Sequence, residues 1–409
     1  MAQLQISQRG QNVIASPIRK FLPLMQAAAA RGTRVFRLNV GDPDLSPPPQ
    51  FLATIRKYKQ KTLGYAPSPG IAEHTAAWQK YYSQFAVHLP TTNIIPTVGC
   101  AEAIMLALQA VADAGDEVIV FEPLYTSYKS FSVMAGIKLT PITLRIENNF
   151  ALPPAEQIEA KITSRTKAIV VINPDNPTGK LWSAAELKTL VRIATKHQLF
   201  IISDETYREI RFSGEPVCLL REKGARENVI VTDSVSKRFS MPGARVGCIA
   251  SFNDDVMQAV LKFAQARLSV GTLEQYGLVP LLNNSRAYVS KIVREYYQRR
   301  EVVAAALHSV EGAVFRPAQG AFYQAVALPI DDAESFVRFM VERFSYKGQT
   351  VMVTPMQDFY ISPDHGRNEI RIAYVLRLAE LKVAMDVLIR GLEAYRRETV
   401  SSAGSTSVA

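Results

Sequence analysis

Five short apolar runs set between helical stretches constrain this chain more than any other feature. They are EVIVFEP (117–123), AIVVINP (168–174), LFIISDE (199–205), VIVTDS (229–234) and GCIASF (247–252). Each has the length of a strand and is continuously apolar rather than alternating, so both of its faces should be buried. Helical stretches lie between them, including CAEAIMLALQAVADAG (100–115) and SAAELKTLVRIATKHQ (183–198). The second carries Ser183 as N-cap and Glu186 at the capping-box position. The pattern predicts an α/β fold whose large, mostly parallel sheet is covered by helices on both faces. Such sheets take ligands beyond the carboxyl ends of their strands, where Glu122, Asn173, Asp204 and Ser234 stand.

The flanks read differently. ASPIRKFLPLMQAAAARG (15–32) is an arm followed by a helix that stops at Gly32, and RVFRLNVGDPDLSPPP is a short strand entering a Pro-rich loop. Residues 253–305 read as largely helical, and from about residue 310 strands mix with shorter helices. The expected division is an N-terminal arm and small-domain segment over 1–45, a large domain over 46–305 and a small α+β domain over 306–398. The small, polar SSAGSTSVA lies in an expected disordered tail over 399–409.

With 409 residues the chain exceeds what one core usually holds. No run of 18 apolar residues predicts a membrane span, and MAQLQISQRGQNV lacks the apolar region of a secretory signal. The three cysteines, Cys100, Cys218 and Cys248, are far apart and in no metal-ligand spacing. Buried thiols in a reducing cytoplasm are expected, with no metal site. The net charge of +10 is scattered rather than gathered in a stripe. That pattern argues against nucleic-acid binding and fits attraction of small anions.

Several short motifs stand at or after the strand ends. In VINPDNPTGKLWS (171–183), Pro174 and Pro177 lock the backbone and Gly179 permits a turn, which fixes Asn173 and Asn176. A rigid turn with self-bonded asparagines would look the same. Asp204 ends an apolar strand and suits either a helix cap or a partner for a buried cation. Lys237 in SVSKRFSMPGARVG (234–247) is either part of a solvated basic loop or a reactive amine beside an anion site.

Taken together the segments resemble the fold-type I, pyridoxal-phosphate-dependent aminotransferases of class I/II. The resemblance runs from about residue 10 to 395 and rests on eight motifs in the family's order: NVGDPD, YAPSPG, TVGCAEA, EPLYTSY, NPDNPTG, SDETYRE, SVSKRFSMPGARVG and RIAYVL. It implies a seven-stranded, mostly parallel sheet, a smaller second domain, and a homodimer with shared active sites. By that resemblance Lys237 matches the lysine that forms the internal aldimine with pyridoxal 5'-phosphate and then carries the proton. Asp204 matches the carboxylate that keeps the pyridine nitrogen protonated. Tyr207 and Asn176 match donors to the ring oxygen, and Tyr125 matches the aromatic that stacks on the ring.

The phosphate falls to Ser234, Arg245 and the backbone N–H groups of Cys100 and Ala101 at a helix start. Tyr65 matches a phosphate contact made from the partner subunit. Arg371 matches the clamp on the substrate α-carboxylate, which Gly41 allows the backbone to approach; Asn173 supports the site. Core packing for Tyr125, a surface ion pair for Arg371 and a plain turn for Gly41 are the alternatives from the residues alone.

The chain departs from the family at GCA (99–101), where the helix start lacks a side-chain hydroxyl. Ala101 stands where some members that take acidic substrates carry a lysine. The activity implied is transfer of an amino group between an L-amino acid and a 2-oxo acid in two half-reactions. Elimination, replacement or cyclisation on a specialised amino acid is the alternative, because the same cofactor site serves all of them.

Overall fold

The computed structural model describes residues 4–405. A first strand, β1 (Arg34–Arg37), precedes the seven strands of the main sheet. These are β2 (Ile94–Thr97), β3 (Glu117–Glu122), β4 (Lys138–Thr143), β5 (Thr166–Ile172), β6 (Phe200–Asp204), β7 (Val229–Ser234) and β8 (Gly247–Ser251). Their order across the sheet is β2-β8-β7-β6-β5-β3-β4. β8 is antiparallel to both neighbours, and every other pair is parallel.

The five apolar runs are β3, β5, β6, β7 and β8. The two strands that the sequence did not reveal, β2 and β4, are the sheet edges, and each contains a proline, Pro96 and Pro141. Proline has no N–H for a second neighbour, so an edge accommodates it, and it also interrupts the strand signal.

Period two explains the continuous runs. Along β5, Ile169 and Val171 join one apolar cluster, while Ala168 and Val170 join the cluster on the other face. Leu187, Leu190 and Ile193 of the helix Ala184–Lys196 cover the first face. Ala103, Ile104, Ala107 and Leu108 of the helix Gly99–Val111 cover the second. Each fully buried Val, Leu or Ile contributes about 1.5–3 kcal/mol. The expected capping box is present: Ser183 Oγ accepts from Glu186 N at 3.2 Å, and Glu186 Oε2 accepts from Ser183 N at 2.8 Å.

A second body holds β9 (Tyr323–Ala327), β10 (Gln349–Met352), β11 (Thr354–Pro355) and β12 (Glu369–Ala373). β11, β12 and β9 form an antiparallel sheet in that order, and β1 pairs in parallel with β10. The N-terminal segment is thereby joined to C-terminal strands. The helix Arg286–His308 gives Val289 to the main core and Ile292, Tyr296, Val303 and Leu307 to the second, so it spans the division expected at residue 305.

The expected disordered tail is corrected in part. A helix runs Leu378–Ser405, through most of that segment, and residues 406–409 lie outside the described residues. Serine, threonine and alanine do not stop a helix already nucleated upstream, where each added residue gains a hydrogen bond. Among the described residues no helix is long and apolar enough to cross a membrane.

Candidate active site

A cavity of about 690 Å³ opens beyond the carboxyl ends of β5, β6 and β7, within the usual range for small-molecule sites. Every residue predicted from the sequence to build a site lines it, except Tyr65 and the supporting Asn173. Tyr65 is 84% exposed and lies apart from the cavity. Asn173 is structural: its side-chain oxygen accepts from Trp182 N at 3.3 Å and ties down the turn after β5. Glu122 serves similarly, accepting from the backbone N–H groups of Ile361 and Ser362.

Lys237 lies in a single helical turn, Val235–Arg238, that follows β7 directly. Its Nζ donates to the Gly41 carbonyl at 2.8 Å. Burial, reinforced by Arg371 and Arg245 and opposed by Asp42, lowers this amine to about 8. Ser234 caps the turn: its Oγ accepts from Ser236 N at 3.0 Å and lies 2.6 Å from Ser236 Oγ. Ser236 also lines the cavity, a hydroxyl that the sequence reading did not single out.

Arg245 returns to the same place after a turn at Pro242–Ala244, with φ +52°. Its guanidinium lies over Gly99 at the start of the helix Gly99–Val111; a Cβ on Gly99 would sit 2.6 Å from Nη2. Two serine hydroxyls, a guanidinium and a helix N-terminus thus converge as an anion cradle.

Asp204 closes β6, the strand beside β7, and lines the same cavity. Its Oδ1 accepts from Thr206 N at 3.2 Å and meets the Cys100 thiol at 3.6 Å. Burial pushes the carboxyl up to about 6. The sequence offered only the backbone N–H of Cys100; the structure adds a thiol directed at Asp204.

Arg371 enters from β12 of the second body and is 1% exposed. It donates from Nη1 to Asn176 Oδ1 at 2.9 Å and from Nη2 to the Asn39 carbonyl at 2.7 Å. Its Nε has no hydrogen-bond partner among the described residues. Its guanidinium also covers the ring of Tyr323 at 4.5 Å. Tyr323, unmarked by the sequence, lines the cavity and meets Tyr207, hydroxyl to hydroxyl, at 2.9 Å. A Cβ on Gly41 would lie 1.8 Å from the Tyr323 oxygen, so in this structure Tyr323 is what requires glycine there.

Behind Lys237 lies a buried charge network. Asp233 pairs with Arg208 at 3.0 Å and with Arg238, and Arg208 also pairs with Glu205 at 2.6 Å. Arg238 approaches Glu209 at 3.5 Å, and Glu209 accepts from the Tyr81 hydroxyl at 2.7 Å. Asp233 adjoins Ser234 and Arg238 adjoins Lys237, so the network holds both ends of that turn.

A family model described as aminotransferase class I and II matches residues 33–388. The LL-diaminopimelate aminotransferase of Natranaerobius thermophilus is 30% identical over 370 residues, 89% of this chain and 93% of the relative. The aspartate aminotransferase of Pyrococcus horikoshii is 29% identical over 374 residues, 90% of this chain and 93% of its own. Among solved structures, an alanine aminotransferase from Pyrococcus furiosus superposes with a TM-score of 0.88 at 26% identity, covering 95% of this chain and 100% of that one.

Proposed function

The chain belongs to the class I and II aminotransferases and is an aminotransferase, and from that premise we propose that its cavity holds pyridoxal 5'-phosphate on Lys237. The observation that carries this reading is the convergence of Lys237, Asp204, the anion cradle and Arg371 on one cavity. Their chemistry fits the cofactor. The cradle suits a phosphate, and Asp204 is a buried carboxyl that pairs with no cation among the described residues, a lack which a ring N–H⁺ would compensate. A buried amine lowered to about 8 is partly neutral near pH 7 and can act as a nucleophile.

Each residue then has a task. Ser234, Ser236, Arg245 and the start of the helix Gly99–Val111 hold the phosphate. Tyr125 and Tyr207 line the same cavity; Tyr125 would lie against the ring, and Tyr207 would donate to its oxygen. Arg371, oriented by Asn176 and the Asn39 carbonyl, receives the α-carboxylate. The bound cofactor supplies an electron sink for charge developing at the substrate Cα. Lys237 Nζ would be the base that takes the proton from the substrate Cα.

The relatives' names favour amino transfer over elimination, replacement or cyclisation. They also name three different amino acids, so family membership leaves the substrate open. The working unit is a homodimer in which Tyr65 reaches the partner's phosphate. Its 84% exposure, and the Thr272 hydroxyl that holds the adjoining Gly64 carbonyl at 2.9 Å, support that reading. Three unpaired cysteines, two of them buried, fit a cytoplasmic setting.

The test is to mix cofactor-loaded protein with single L-amino acids and no 2-oxo acid. Stoichiometric appearance of the cofactor's amine form is expected with at least one of them. Release of ammonia with no amine form would overturn the assignment of amino transfer.

A further inference from the structure

We infer that Tyr323 is a positioning residue that acts through Tyr207, fixing the direction in which Tyr207 donates its proton. The inference rests on reading the cavity as the cofactor site. The two hydroxyls lie 2.9 Å apart and share one hydrogen bond, whose donor is set by what else each oxygen faces. If Tyr207 directs its proton into the cavity, its oxygen must accept from Tyr323. A donor that itself accepts a hydrogen bond is polarised and becomes a stronger donor.

Tyr323 is held in place for this task. It is 3% exposed, and its ring meets Phe322 at 5.0 Å and Tyr207 at 5.8 Å. Arg371 covers one face at 4.5 Å, and the Tyr323 oxygen occupies the space left by the missing Cβ of Gly41. The hydroxyl therefore cannot swing toward a different partner without moving the β9 strand or the residue 41 backbone. β9 belongs to the second body and Tyr207 follows β6 of the main sheet, so the bond also joins the two.

With the cofactor bound, Tyr207 would stabilise negative charge on its ring oxygen and so lower the affinity for the proton that the visible band reports. Losing the Tyr323 hydroxyl weakens that stabilisation and makes the proton harder to remove. The ionisable groups around Tyr323 include Arg371, Tyr207, Tyr125 and Asp42 together with Tyr296 and Tyr374, and Tyr323→Phe leaves all of them in place.

The experiment is a pH titration of the visible absorbance of cofactor-loaded wild type, Tyr323→Phe, Tyr207→Phe and the double variant. Tyr323→Phe is expected to raise the proton affinity roughly two- to fivefold and Tyr207→Phe to raise it further. The double variant should match Tyr207→Phe alone, because Tyr323 works only through Tyr207. A Tyr323→Phe titration equal to wild type, or a double variant showing the sum of the two shifts, would overturn the inference. Lys237→Ala serves as the control for the site itself and should lose the titrating band. If it keeps that band, the site reading fails, whatever Tyr323 does.

Discussion

Arg371 and Asn176 are joined by a hydrogen bond of 2.9 Å between guanidinium and amide oxygen, although 195 positions separate them in the chain. The bond ties β12 of the second body to the Pro-flanked turn after β5. If Arg371 receives the substrate carboxylate as proposed, the bond lets Asn176 set the direction of the charge that Arg371 supplies. Arg371→Lys keeps a cation but loses the fork that reaches both Asn176 and the Asn39 carbonyl. It should raise KM for amino acids by about 10- to 100-fold, and Asn176→Ala should raise it less. Steady-state kinetics with one amino acid and a fixed 2-oxo acid measures both, and an unchanged KM in Arg371→Lys would contradict the carboxylate role.

Lys237→Ala should reduce amino transfer by about a thousandfold or more, since it removes both the attachment point and the proton carrier. The protein should remain folded, because its buried charge network does not include the lysine amine. Circular dichroism and a transfer assay on the same sample separate the two effects.

Asp204 predicts a pH dependence of stability that loading removes. Its folded pKa of about 6 lies above the ordinary 3.8, so the cofactor-free protein holds this proton more tightly than the unfolded chain does. Stability is therefore lost as pH rises from about 4 through 6, by an amount on the order of 3 kcal/mol from this group. A ring cation beside the carboxylate removes that cost, so the gain in Tm on loading should be larger at pH 7.5 than at pH 5. Asp175 is also raised to about 6 by burial, and Asp204→Asn separates the two contributions. That variant should be more stable than wild type without cofactor at pH 7.5, yet nearly inactive. A cofactor-free Asp204→Asn no more stable than wild type at pH 7.5 would refute the account.

Tyr65 acting in trans predicts complementation between two defective variants. Co-expressed Lys237→Ala and Tyr65→Ala chains form mixed dimers in which one of the two sites has both residues intact. Activity of about one quarter of wild type is expected from statistical mixing. Activity no higher than the average of the parent dimers would place Tyr65 outside the partner's site.

Much of this arrangement is legible in the sequence, for local reasons. Asp204, Ser234 and Asn176 stand at strand ends, where an apolar run gives way to polar residues, and Lys237 and Arg245 bracket one such end. Signals of that kind survive without tertiary information. Tyr323 gives none, because β9 is buried along its whole length and nothing in its pattern separates a cavity-lining tyrosine from a core one. Gly41 was legible as a position needing close approach, but what approaches it is Tyr323, set by the packing of another body. β2 and β4 were hidden by the same prolines that suit them to the sheet edges. Arg208 and Arg238 look like surface charges in the chain and become buried partners only when Asp233 is placed between them.

That buried trio has a consequence for how such an enzyme can change over time. Removing one member strands a charge in a dry interior, a loss of about 3–5 kcal/mol, so single substitutions there are close to forbidden. The turn bearing Lys237 inherits this immobility. The cavity mouth is built differently: Ser16 and Arg19 from the N-terminal arm are exposed and carry no such debt. Substitution at Ser16 or Arg19 is thus expected to leave the turn bearing Lys237 in place, whereas substitution in the buried trio is not.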